Sequence, residues 1–493
     1  MPRMEHTPDR AQAPSSAANP ASVTFANLWW QGRWLRNARV DIDARGLVHG
    51  VSERAAEPDQ PRPGTLIAGV TLPGLANAHC HAFQRALGPS VQRAGGQADN
   101  FFTWRETMYA LALRLDRAAL TAVAARCYLE LLRGGYTSVA EFLYLHRLRP
   151  LASEGGPGAL DADAAIAEAA ALTGMRLTLL PTLYQYADFG EAAPRPGQRP
   201  FVRTSTQFLE DWHTLRERYP PGHAVTLGVA FHSLRAVGID TIASVAAALS
   251  DDPQCRCLHI HVAEQPAEVS ACVRHHGLAP VALLASRGLL SSRWALVHAT
   301  HSSALELQQL RRAGATLVLC PTTEADLGDG IIALGDYLDQ GALAIGSDSN
   351  IGRSAPGELR LLEWMQRLGR GQRNALASSA QPAVADRLFA AVWRGGARAL
   401  GEPEQSESTA VPADFVTYGA LRPGDTEGGD WSLYEPPEFL SALVFEAAAP
   451  EATDVMVGGR WVIRAGHHAH ARHVETRYRE TLRRLATKEP LHA

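Results

Sequence analysis

The stretch TLPGLANAHCH, residues 71–81, joins an apolar run to two histidines that are separated by one residue. Residues i and i+2 of a β-strand lie on one face, so the imidazoles of His79 and His81 would point the same way at a strand end. Seven more apolar runs rich in Val, Leu, Ile and Thr follow, separated by longer segments that mostly have helical spacing. In chain order they are TSVAEFLY, RLTLLPTLY, VTLGVAFHS, LHIHVAE, WALVHATH, TLVLCPTTE and LAIGSDSN. Eight strand–helix units predict an α/β fold, a TIM-like (β/α)8 barrel over residues 71–404; a doubly wound open sheet is the alternative.

Both ends of the chain are rich in short strand-like segments. Residues 22–70 and 405–466 contain alternating apolar residues and glycines, and they predict a small β-sandwich-like domain built from both chain ends. Residues 1–21 are polar and rich in Pro, Ala and Ser, which predicts a disordered tail. Residues 467–493 have the spacing of an amphipathic C-terminal helix.

Composition restricts the class of protein. Hydrophobic residues make up 46% and charged residues 20% of the 493, as expected of a globular protein with a large core. The formal net charge of −4, without a basic run, argues against nucleic acid as a partner. No run reaches the roughly 20 apolar residues that a membrane span needs. Six cysteines without a short disulfide framework, and a polar N-terminus, predict a cytoplasmic protein. The size and the C-terminal helix predict a homodimer.

Polar residues stand at the C-terminal ends of the predicted strands. After His79 and His81, in chain order, they are Tyr144, His232, Arg235, His261, Glu264, His298 and Asp348. In an α/β barrel these strand ends converge on one face, and that face holds the active site.

A His-x-His pair is weak evidence by itself, because random placement of 19 histidines gives roughly 0.7 such pairs. The sequence contains three, His79/His81, His259/His261 and His468/His470. The third lies in the polar stretch HHAHARH and is interpreted as solvated surface. His259 shares a strand face with His261 but lies deeper in the predicted barrel, and it stays a competing ligand.

Asp348, in the stretch GSDSN, fits either a turn or capping aspartate or a fourth metal ligand beside three histidines. Three imidazoles and one carboxylate suit one divalent metal, with zinc favoured and iron or manganese also compatible. Glu264 fits a helix-start carboxylate or a proton shuttle beside an activated water. His298 fits a core histidine or a group that polarises the bond under attack.

The motifs LPGLANAHCHAFQRA, HIHVAEQ, LVHATH and IGSDSN together resemble the amidohydrolase superfamily of metal-dependent barrel enzymes, over about residues 22–465. Members with two metals usually bridge them with a carboxylated lysine. The only lysine here is Lys488, so the resemblance points to the one-metal, deaminase-like branch. It implies metal ligands at His79, His81, His261 and Asp348, and acid/base roles at Glu264 and His298. In the proposed hydrolysis, Asp348 and Glu264 would receive and relay the proton of the attacking water.

Within that branch, HCHAFQRAL, TWRETMY, EFLYLH, FHSLRAV and HVAEQPAEV look like enzymes that hydrolyse formimino derivatives of amino acids. This resemblance implies conversion of N-formimino-L-glutamate to N-formyl-L-glutamate and ammonia in histidine degradation. It implies substrate contacts at Gln84, Arg105, Tyr144, His232 and Arg235. A guanidinium group binds a carboxylate through two hydrogen bonds, which suits a small anionic substrate derived from an amino acid. A salt bridge at the barrel rim is the alternative for Arg235.

Three other functions stay open. The first is another one-metal deaminase or chlorohydrolase that acts on a nucleobase or triazine. The second is a metal-binding homologue without catalysis, and the third is a two-metal amidase. Loss of Arg235 would matter for a dicarboxylate and little for a neutral ring, and a metal count of two per chain would favour the amidase.

Overall fold

The computed structural model describes residues 20–53, 66–94, 99–149, 160–335, 337–403, 410–419, 434–446 and 451–486. The predicted disordered tail, residues 1–21, lies outside the described residues except for its last two. Among the described helices, none is long and apolar enough to cross a membrane.

The described residues form sixteen strands in two separate sheets. In chain order they are β1 (Ser22–Trp30), β2 (Arg33–Ile42), β3 (Val48–Glu53), β4 (Leu66–Pro73), β5 (Leu75–Cys80), β6 (Tyr136–Leu143), β7 (Arg176–Leu183), β8 (Val225–Leu227), β9 (Val229–Ser233), β10 (Leu258–Val262), β11 (Trp294–His298), β12 (Thr316–Leu319), β13 (Ala342–Ile345), β14 (Phe415–Tyr418), β15 (Asp454–Val457) and β16 (Arg460–Ile463).

Helices alternate with most of the central strands. They are α1 (Phe101–Ala112), α2 (Arg117–Arg133), α3 (Asp161–Thr173), α4 (Ser205–Arg218), α5 (Ile239–Ala248), α6 (Pro266–His276), α7 (Pro280–Ser286), α8 (Ala304–Ala313), α9 (Pro321–Leu327), α10 (Tyr337–Gln340), α11 (Ala355–Arg370), α12 (Val384–Ala399), α13 (Phe439–Ser441) and α14 (Ala471–Ala486).

The central sheet is a parallel barrel with the strand order β5-β6-β7-β9-β10-β11-β12-β13, and β8 also pairs with β7. β8 and β9 are one predicted strand interrupted at Gly228, where a Cβ atom would lie 2.6 Å from the Cys257 sulfur. The barrel closes between its first and last strands, because the amides of Ser347 and Asp348 both donate to the His79 carbonyl over 3.0 Å. The predicted (β/α)8 barrel is therefore confirmed, and the open sheet is wrong.

The second sheet has the order β16-β15-β14-β4-β1-β2-β3, so segments from both ends of the chain build it, as the sequence predicts. Its own apolar core includes Phe25 and Phe415, whose ring centroids are 5.0 Å apart. β4 continues into β5 through Pro73 and Gly74, and this connection attaches the sheet to the first strand of the barrel.

The C-terminal helix α14 packs against α2. Tyr478 on α14 accepts a hydrogen bond from Arg85 over 3.0 Å, and Glu475 forms a salt bridge with Arg126 of α2.

Candidate active site

Three of the predicted strand ends bring four side chains to one point. The Nε2 atom of His261 lies 3.0 Å from that of His79 and 3.3 Å from that of His81. An Asp348 carboxylate oxygen lies 3.5 Å from His79 Nε2 and 3.4 Å from His81 Nε2. These four side chains are buried, and they are the four that the sequence predicts as metal ligands.

The hydrogen bonds of the Nδ1 atoms indicate which ring nitrogen carries the proton in two of these imidazoles. The Nδ1 atom of His81 donates to the Phe142 carbonyl and that of His261 to the His232 carbonyl, each over 2.8 Å. Burial lowers the pKa values of His79, His81 and His261, so the rings are neutral and the Nε2 atoms of His81 and His261 carry lone pairs. Lone pairs that converge at about 3 Å repel each other, whereas a cation between them would bind them all. The donor set therefore fits a divalent metal.

The competing histidines lie elsewhere. His259 bonds the Ala399 carbonyl over 2.7 Å and does not join the cluster. His468 is 8% exposed and bonds the Thr173 carbonyl over 3.0 Å, so the prediction that its pair is solvated surface was wrong for His468.

His298 and Glu264 lie beside this cluster. His298 Nδ1 donates to Glu324 over 3.2 Å, and its Nε2 lies 3.7 Å from a Glu264 oxygen and 3.8 Å from Asp348. Burial raises the pKa of Glu264 to about 7. Burial lowers the pKa of His298, but the carboxylates of Glu264, Glu324 and Asp348 outweigh burial and raise it to about 10. A cationic imidazolium thus stands next to a carboxylate that can hold or release a proton near neutral pH.

Strained backbone surrounds the same point. Five non-glycine residues have a positive, left-handed φ there, namely Ala263 (50°), His298 (70°), Ala299 (49°), Asp348 (45°) and Asn350 (63°). Such conformations persist only where the surrounding structure holds them, and they cluster at functional sites.

A cavity opens over the cluster. All but one of the predicted site residues line it, namely His81, Gln84, Arg105, Tyr144, His232, Arg235, His261, Glu264, His298 and Asp348. His79 lies behind the cavity wall and reaches the cluster through its Nε2 atom. Sequence reasoning missed Phe101, Trp104, Met108, Tyr109, Tyr184 and Leu327, which also line the cavity.

Two guanidinium groups in this cavity have unsatisfied nitrogens. The Nε atom of Arg105 and one terminal nitrogen of Arg235 are buried without a hydrogen-bond partner among the described residues. None of the salt bridges between described residues includes either side chain. Both charges act on Tyr184 and lower its otherwise burial-raised pKa, so the two cations lie near the same side chain. Two neighbouring cations without a bonded carboxylate suit an anionic ligand.

Neutral hydrogen-bonding groups complete the lining. The side-chain amide of Gln84 donates to the Tyr144 hydroxyl over 2.8 Å, and its Oε1 atom is buried without a partner among the described residues. Gln198 donates to the hydroxyls of Tyr184 (2.6 Å) and Tyr109 (3.3 Å). The His232 ring is within 4.5 Å of the Tyr184 ring, centroid to centroid.

Comparison with known proteins places this architecture among relatives. The model of the amidohydrolase family matches residues 70–462. The formimidoylglutamate deiminase of Pseudomonas aeruginosa is 41% identical over 441 residues, which cover 88% of this chain and 93% of that protein. The crystal structure of an amidohydrolase from Brucella melitensis has a TM-score of 0.84 at 34% identity, covering 95% of this chain and 100% of that chain. An adenosine deaminase of Xanthomonas campestris with bound zinc shares the fold, with a TM-score of 0.74 at 20% identity over 94% of this chain and 98% of that chain.

Proposed function

The chain belongs to the amidohydrolase family, and we propose that it hydrolyses N-formimino-L-glutamate to N-formyl-L-glutamate and ammonia, a step of histidine degradation. The observation that carries this proposal is the presence, in one cavity, of a metal-donor cluster and of the unpaired guanidinium nitrogens of Arg105 and Arg235. The donor cluster would hold a metal ion that activates water for hydrolysis, and the two guanidinium groups suit the two carboxylates of a glutamate derivative. The similarity to the Pseudomonas aeruginosa deiminase supports the same reaction.

His79, His81, His261 and Asp348 would hold one divalent metal per chain. Zinc agrees best with three imidazoles and one carboxylate, and iron or manganese would also be accepted. The zinc in the Xanthomonas campestris structure belongs to a protein of the same fold. When bound, such an ion lowers the pKa of a water molecule toward neutrality.

The chain's own residues then perform the remaining chemistry. Arg235 and Arg105 bind the substrate carboxylates. Tyr144, Gln84 and His232 orient the part of the substrate that lies between the carboxylates and the formimino carbon. Glu264 accepts a proton from the attacking water and later delivers it to the departing nitrogen, because its pKa of about 7 permits both states. Asp348 shares the proton in transit, and the imidazolium of His298 stabilises charge at the tetrahedral carbon. The C=N bond becomes C=O, and ammonia leaves.

Ammonia release tests this proposal. N-formimino-L-glutamate should be turned over much faster than N-formimino-L-aspartate, because the second carboxylate of the shorter substrate falls short of its guanidinium partner, and guanine should not react. Faster turnover of guanine or a triazine would replace the proposal with another deaminase or chlorohydrolase. No ammonia from any of these substrates would favour a metal-binding homologue without catalysis. Cytoplasmic location and a homodimeric assembly stay predictions.

A further inference from the structure

Asp329 lies just beyond α9 and is held rigidly beside the proposed acid/base pair. Its backbone amide donates to the Glu324 carbonyl over 2.9 Å, and its own carbonyl accepts from His301 Nε2 over 2.8 Å. One carboxyl oxygen accepts a hydrogen bond from the Gln265 side chain. The side chain is 2% exposed.

The second carboxyl oxygen, Oδ2, has no partner. It is buried and forms no hydrogen bond with any part of the chain that the structure describes. A carboxyl oxygen of Asp329 lies within 4.8 Å of a Glu264 oxygen and a His298 ring nitrogen, and both of those side chains line the cavity. A buried acceptor without a partner is unfavourable, so the rigid placement of Asp329 calls for a ligand group to complete it.

That ligand group should be a cation. Burial and the neighbouring Glu264 carboxylate raise the pKa of Asp329 to about 9, so without a ligand its carboxyl group is protonated near neutral pH, and a cation bound at Oδ2 would favour the ionised form. The nearest cation, the His298 imidazolium, already donates to Glu324 through Nδ1 and faces Glu264 and Asp348 through Nε2. A further positive group placed among these carboxylates would stabilise them.

We propose that Asp329 is a specificity residue that binds the cationic amidinium group of the substrate through Oδ2. The inference rests on the proposed function, because a formimino group is an amidine, a strong base that carries a positive charge and several N–H donors near neutral pH. The formyl product is a neutral amide, so Asp329 would hold the substrate more tightly than the product. A neutral nucleobase or triazine ring carries no positive charge for the Asp329 carboxyl group to bind.

The test compares two inhibitors that differ only in this charge. N-acetimidoyl-L-glutamate carries an amidinium, and N-acetyl-L-glutamate carries an amide of the same shape. Inhibition constants for both are measured against ammonia release in the wild type, in Asp329→Asn and in Asp326→Asn, a matched change in α9 whose carboxylate instead accepts from Gln92. In Asp329→Asn the amidinium should bind roughly 10- to 100-fold more weakly, as expected for a lost hydrogen bond to a charged group, while the amide should change less than about twofold. Asp326→Asn should leave both constants unchanged.

The ratio of the two constants does not depend on how much of a preparation is folded. An unchanged ratio in Asp329→Asn, or an equal weakening of both inhibitors, would overturn the inference and assign Asp329 a structural role. If Asp329→Asn does not fold, Asp329→Glu replaces it. This variant keeps the charge and should keep the wild-type preference for the amidinium, and loss of the preference would overturn the inference. Absence of ammonia release from N-formimino-L-glutamate by the wild type is a separate result, because it would refute the proposed function itself and the inference with it.

Discussion

Glu264 is the side chain that the proposed chemistry depends on most directly. It lies 3.7 Å from His298, outside the set of four metal donors, so Glu264→Gln removes the proton carrier and leaves those donors intact. We expect kcat to fall by about 10²- to 10⁴-fold, the usual contribution of a general acid–base group, with unchanged metal content. Steady-state ammonia release and elemental analysis measure the two quantities. Glu306→Gln, at the start of α8, is the control, and wild-type turnover in Glu264→Gln would exclude the proton-carrier role.

Arg235 tests substrate recognition. Arg235→Met keeps much of the side-chain volume and removes the guanidinium, so the KM for N-formimino-L-glutamate should rise roughly 10- to 100-fold, the worth of a hydrogen bond between charged groups. The KM should respond more than kcat, because the group binds the substrate at a distance from the reacting carbon. Arg287→Met is the control, since Arg287 is exposed and pairs with Asp240. An unchanged KM would indicate a neutral substrate.

Among the site residues, the sequence predicted those that lie at the C-terminal ends of barrel strands. The rule that strand ends converge identifies the donors and also Tyr144, His232 and Arg235. Tyr184 and Glu324 stand in the third and seventh predicted runs, so the same rule could have found them. Trp104 and Asp329 carry no such signal, because only tertiary packing brings Trp104 of α1 to the cavity and Asp329, after α9, to Glu264 and His298.

The first and last barrel strands are joined by a buried polar network. Asn77 donates to the Ser347 hydroxyl over 2.7 Å and accepts from the Ser347 amide over 3.0 Å. The Ser347 hydroxyl in turn donates to the Asn350 side-chain oxygen, and the Asn350 side-chain nitrogen donates to the His81 carbonyl over 3.0 Å. This network fixes the backbone that carries three of the four proposed metal ligands.

Asn77→Leu removes both bonds to Ser347 at nearly constant volume. We expect the affinity for zinc to fall about 10- to 100-fold, as when the groups that orient metal ligands are lost, and competition with a chromogenic chelator measures it. Asn27→Leu makes the same change in the other sheet, where Asn27 donates to the Gly69 carbonyl, and it should leave the affinity unchanged. Equal affinities in all three proteins would show that β5 and β13 hold the ligands without this network.

Elements differ in how far the sequence determines them. The number and order of barrel strands follow from local apolar periodicity, and all of the predicted runs appear in the barrel. The closure of the barrel does not follow from local periodicity, because it depends on contacts such as that of Asn77 with Ser347, which are 270 positions apart. The interruption between β8 and β9 could not be predicted from apolar periodicity either, because it depends on the close approach of Cys257 to Gly228.

At the scale of the whole molecule, a bound cation would couple the site to the stability of the barrel. His79, His81, His261 and Asp348 come from β5, β10 and the end of β13, so an ion held by all of them connects strands on different sides of the barrel. Without a cation, their converging lone pairs repel within a buried site. A ligand that binds only the folded state at 100 times its dissociation constant stabilises that state by about 2.7 kcal/mol.

Removing the metal should therefore lower the unfolding temperature, and adding zinc should restore it. The measurement is thermal unfolding of protein dialysed against a chelator, before and after stoichiometric zinc. Asp348→Asn lacks one donor and should show a smaller zinc-dependent shift, whereas His468→Gln, which changes a histidine bonded to Thr173 outside the barrel mouth, should show the full shift. If zinc binds to the wild type, as metal analysis would show, but does not change its unfolding temperature, the four side chains do not stabilise the barrel by connecting its strands through the metal. The metal would then contribute to catalysis alone.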